Sequence, residues 1–75
     1  MTRNDILQKL KDDTIRQVAL EHQMTGVRKM YDASVLMGDN VGAERLRTDL
    51  HTLLDMQLDI VSTTMALTRA LAGHQ

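Results

Sequence analysis

The chain has 75 residues, 9 Lys+Arg against 10 Asp+Glu, a formal net charge of −1, no cysteine, proline, tryptophan or phenylalanine, and one tyrosine. A chain this short buries only about 60% of its unfolded surface, so a large private core is excluded. The even charge balance argues against general binding to nucleic acid or membrane surfaces, and without cysteine there is no disulfide, thiol nucleophile or thiolate metal site. No apolar run approaches the ~20 residues of a membrane span. No apolar block follows Met1-Thr2-Arg3-Asn4-Asp5, so the expectation is a single cytosolic domain without a secretory leader.

The absence of proline and the scarcity of alternating β-branched residues predict an all-α protein. Thr2 or Asn4 is a candidate N-cap, with Asp5 in the first turn. Ile6, Leu7 and Leu10 then share a face, and the stripe fails at Lys11-Asp12-Asp13. The spacing therefore predicts a short helix over about 4–12 and a second helix over about 14–37 capped by Asp13. The apolar positions of that second helix are Ile15, Val18, Leu20, Met24, Val27, Tyr31, Val35 and Leu36. Gly26 inside it marks either a close helix approach or a tolerated weak point worth about 1 kcal/mol against alanine. Gly38-Asp39-Asn40-Val41-Gly42 is the one strong turn signal, with Gly38 placed for a left-handed C-cap and Asp39 or Asn40 for the next N-cap.

A third helix is expected over about 41–72, longer than its partner and overhanging it. It carries two adjoining apolar stripes: Leu46, Leu50, Leu53, Ile60, Leu67 and Leu71, interrupted by Gln57 and Thr64, and beside them Leu54, Leu58, Val61, Met65 and Ala72. One neighbour needs an apolar arc of only about 100°, so two stripes predict a second neighbour. The economical answer is a homo-oligomeric helical bundle with an interface at Leu50, Leu54, Leu58, Val61, Met65, Leu67 and Leu71; a three-helix monomer is the alternative. Fraying is expected only at Met1-Thr2-Arg3 and Gly73-His74-Gln75.

Catalytic chemistry is not expected. His22, His51 and His74 are too dispersed for local metal spacing, and His51 with Asp55 forms only an i, i+4 pair. Ser34 and Ser62-Thr63-Thr64 lack a nucleophile elbow, and the turn carries an acid where a phosphate loop wants bare amides or a lysine. The basic residues are the better candidates. The turn should gather Arg28, Lys29, Arg45 and Arg47 with Tyr31 at one end, able to take phosphate with a stacking face or simply to pair with Asp32, Glu44 and Asp49. Arg69 stands among Met65, Ala66, Leu67, Ala70, Leu71 and Ala72, with the Thr63, Thr64 and Thr68 hydroxyls nearby, so it either snorkels to water or pairs with something buried.

The run Thr64-Met65-Ala66-Leu67-Thr68-Arg69-Ala70-Leu71-Ala72 resembles the last helix of the small phage proteins that sequester cyclic oligonucleotide immune signals, the anti-CBASS sponges, related in fold to the anti-Thoeris sponges. The resemblance covers about nine residues and the overall order of arm, helix, turn and long helix; the family's N-terminal tyrosine and lysine have no located counterpart. It implies an oligomeric, non-enzymatic trap in a host cytoplasm, with ligand sites between protomers and with Met65, Leu67, Arg69 and Ala70 carried over by motif. Arg28, Lys29, Arg45, Arg47, Thr68 and Tyr31 join the candidate ligand set on charge and stacking alone. The leading expectation is a sponge for a cyclic nucleotide without cofactor or metal; the alternatives are a protein-interaction module acting on a host protein and a small dimeric DNA-binding regulator.

Overall fold

The computed structural model describes residues 2–73; Met1 and His74-Gln75, where fraying was expected, lie outside the described residues. Two helices, α1 (Arg3–Leu36) and α2 (Asn40–Ala72), form an antiparallel hairpin 57 Å long and 15 × 13 Å across. Its radius of gyration is 16.9 Å, where a compact domain of this length would have about 11 Å. The hairpin is a rod.

The helix ends follow from local chemistry. Thr2 caps α1 in a capping box: the Asp5 N–H donates to Thr2 Oγ1 and the Thr2 N–H to Asp5 Oδ2, both at 3.2 Å. Hydrogen bonding to the carboxylate by Thr2, first through its side chain and then through its backbone N–H, holds the Asp5 carboxyl below its ordinary pKa. Gly38 terminates α1 with φ +74°, a conformation that costs other residues about 1–2 kcal/mol. Asp39 caps α2 by accepting from the Gly42 N–H at 2.9 Å, and a Cβ on Gly42 would collide with that carboxylate.

The expected short first helix and the break near Asp12–Thr14 do not form. Asp13 lies inside the continuous α1, buried, and not at an N-cap. Every described residue of α1 that is not exposed falls on one sevenfold grid: Ile6, Leu10, Asp13, Gln17, Leu20, Met24, Val27, Tyr31 and Ser34. Ala43, Leu46, Leu50, Leu53, Gln57, Ile60, Thr64, Leu67 and Leu71 repeat it on α2. Alternating steps of three and four on both helices are the mark of a two-stranded coiled-coil seam. Ile15, Val18, Val35 and Leu36, expected in the core, stand off this grid and are exposed. The expected overhang of the last helix is absent too, because α1 and α2 have 34 and 33 residues.

The resulting core is minimal. Its buried apolar side chains are Ile6, Leu20 and Leu67, joined by the polar Asp13. Gly26 has open space where a Cβ would stand, so it marks no close helix approach.

Candidate functional site

The hairpin's two sides differ. One carries an open groove lined by Asp13, Arg16, Met56, Asp59, Ile60 and Thr63. The other carries a cleft of about 670 Å³ between the helices, lined by Glu21, Met24, Thr25, Arg28, Tyr31, Asp32, Leu50, Leu54 and Gln57. This second cleft brings together two of the candidate ligand residues, Arg28 and Tyr31. It also sets two acids, Glu21 and Asp32, beside them, so it offers no net positive field to an anion. Tyr31 is half-buried on the seam and lines this cleft.

The other cations of the turn end do not converge with Arg28. At 100° per residue, Lys29 and Arg45 point about 170° and 130° away from the seam, each outward on its own helix. Arg47 lies 3.7 Å from Glu44 in a largely exposed i, i+3 pair, which contributes little. The basic end predicted from sequence is therefore a set of separated, mostly solvated charges. Proximity to the turn suggested a cluster; helical phase disperses it.

Arg69 is exposed in the last turn of α2, where its charge complements the helix C-terminus, and it is not buried among the alanines and leucines around it in sequence. The Thr68 hydroxyl donates to the Thr64 carbonyl at 2.8 Å, and the Thr63 hydroxyl likewise to Asp59 at 3.0 Å, so both protons are already engaged. Thr68 keeps only acceptor capacity for a ligand.

The expected oligomer interface splits in two. Leu50 and Leu71 are half-buried and Leu67 is buried on the seam against α1, so these three serve the intrachain contact. Leu54, Leu58, Val61 and Met65 remain 42%, 67%, 41% and 54% exposed. They form a second seam of steps four, three and four, about 100° around α2 from the first. Thr68 continues this stripe, and Arg69 stands about 40° beyond its edge. Leu54, Leu58, Val61 and Met65, by their spacing, make one contiguous exposed apolar stripe along α2.

Sequence reasoning missed the pair that joins the two helices. Thr64 Oγ1 donates to Asp13 Oδ2 at 3.4 Å across the seam, and it is the only side-chain hydrogen bond between α1 and α2 among the described residues. The signal was present: Asp13 and Thr64 occupy matching grid positions once both helices are read in sevens. Among the described residues, no group of three His, Asp or Glu side chains gathers to hold a metal, and no helix is long and apolar enough to cross a membrane. No protein family, curated protein or solved structure matches the chain.

Proposed function

We propose that this protein works by binding and not by catalysis: copies of the hairpin join through the second stripe of α2, and the assembly sequesters a cyclic nucleotide signal at the edges of that contact. The observation that supports the reading is the exposed run Leu54, Leu58, Val61 and Met65 with Thr68 and Arg69 at its C-terminal edge. Within one copy the candidate cations are dispersed, so a phosphate site needs groups from more than one chain. Arg69 would pair with a phosphate oxygen, Thr68 would accept from a base or ribose donor, and apolar side chains would cover a base face. The ligand class rests on the resemblance of the Thr64–Ala72 run to the sponge family.

Native mass spectrometry of freshly purified protein tests this directly. The expected result is a mass at a multiple of 8.5 kDa with a bound small molecule that heat releases chemically intact. A single-copy mass with nothing bound, or a released molecule that has been chemically converted, overturns the reading.

The same stripe, unaccompanied by converging cations, also favours a second reading, a module that lays α2 against a host protein. Arg69→Ala separates the two: a sponge loses its ligand, whereas an adaptor keeps its partner.

A further inference from the structure

Resting on the self-association just proposed, we infer that the second stripe takes one occupant, the same stripe of another copy, and that the two α2 helices run antiparallel about a two-fold axis near Asp59–Ile60. The stripe reads nearly the same in both directions: His51, Leu54, Leu58, Val61, Met65 and Thr68 occupy successive positions. An antiparallel pairing sets Leu54 level with the partner's Met65, Leu58 with the partner's Val61, and His51 with the partner's Thr68. Apolar then meets apolar, and polar closes both ends.

Charge selects the direction. The outer flank of the stripe carries Asp55 and Arg69 two heptads apart. Helical side chains lean toward their own N-terminus, so in the antiparallel pair the Arg69 head reaches the level of the partner's Asp55. The two-fold makes that contact twice. A parallel pair in register puts the two outer flanks on opposite sides of the contact, so neither Arg69 nor Asp55 meets its opposite charge on the partner's flank. A guanidinium has five donors, so a bond to the partner's Asp55 leaves others for an anion at the same edge.

Only α2 builds this contact. The corresponding side of α1 mixes the exposed apolar Leu7, Val18 and Val35 with Lys11, Thr14, Glu21, Thr25, Arg28 and Asp32, and a square four-helix core would have to bury those charges. The two α1 helices therefore stay on the outside of the pair.

The absence of native cysteine makes single-cysteine variants clean probes. In the antiparallel pair, two copies of Met65→Cys, or two of Leu54→Cys, lie about 16 Å apart along the axis, beyond the reach of a disulfide. A Leu54→Cys copy lies level with a Met65→Cys copy. Under mild oxidation the mixture should form the mixed disulfide dimer several-fold faster than either variant alone forms its own. Equal or faster self-linking in each variant alone, with a dimer in sedimentation, overturns the orientation while self-association stands. A sedimentation mass near 8.5 kDa for the unmodified protein, with no disulfide in any mixture, overturns both.

Discussion

The Thr64 hydroxyl reaches across the seam to the buried carboxylate of Asp13, 51 residues away, at 3.4 Å. That distance is long for a hydroxyl donor, so the bond only partly offsets the desolvation of the carboxylate. The pair contributes more to alignment than to stability. A slip by one heptad would set Asp13 against Gln57 or Leu71 in place of Thr64, which disfavours the misaligned hairpin.

Removing the donor alone should therefore be worse than removing both partners. Thr64→Val leaves the buried carboxylate without its cross-seam partner and should cost about 1–3 kcal/mol. Replacing both residues with leucine extends the apolar seam and should stabilise the hairpin by about 1–3 kcal/mol. Urea denaturation at one fixed protein concentration reads both, since the proposed self-association would make the midpoint depend on concentration. A double variant less stable than Thr64→Val would show that the pair contributes net stability beyond alignment.

Two glycines should respond oppositely to alanine. Gly26 lies in mid-helix with open space at its Cβ position, so Gly26→Ala should stabilise the protein by up to about 1 kcal/mol. Gly38 holds φ +74° at the end of α1, so Gly38→Ala should destabilise it by about 1–2 kcal/mol. Thermal melts of the two variants beside the parent suffice. A destabilised Gly26→Ala would place a neighbouring copy against that face of α1.

The ends and the turn were legible because their chemistry is local. Thr2 with Asp5, Gly38 and Asp39 each act within a few residues, and each takes one of the roles the sequence suggests. The middle was harder to read. Asp13 has two physical options, to cap a helix or to be buried with a partner, and a stretch around residue 13 cannot reveal a hydroxyl at residue 64. Reading Asp13 as a cap split α1 and moved its core to Ile15 and Val18. The cations of the candidate site failed for a related reason: nearness to the turn sets how far along the rod Arg28, Lys29, Arg45 and Arg47 lie, while helical phase decides which way each points. The second stripe of α2 was legible because its spacing is regular and no polar residue interrupts it between Leu54 and Met65.

The capping box gives stability a dependence on acid. The folded-state pKa of Asp5 lies below its unfolded value because Thr2 hydrogen-bonds the ionised form. The resulting stabilisation is present above the unfolded pKa, near 3.9, and is lost as pH falls through the lower folded value. Melting temperatures of the parent and of Asp5→Asn should therefore differ at neutral pH and converge below about pH 4. A gap that persists unchanged into acid would mean that the carboxylate charge is not what the cap uses.

Assembly and ligand capture should separate by residue. Leu58 is the most exposed member of the second stripe and faces the partner's Val61 in the antiparallel pair, so Leu58→Glu places two carboxylates in the centre of the contact. A buried charge without a partner costs several kcal/mol, enough to return the protein to single copies in sedimentation. Ligand capture, which needs groups from two chains, should vanish with it. Arg69→Ala removes only exposed charge pairs at the edge, each worth about 0.2–1 kcal/mol, so the assembly should persist while the ligand is lost. The informative result is the combination: both variants losing ligand but only Leu58→Glu losing mass. Should Leu58→Glu stay assembled, copies must meet through another face, with the open side of α1 around Gly26 the next to test.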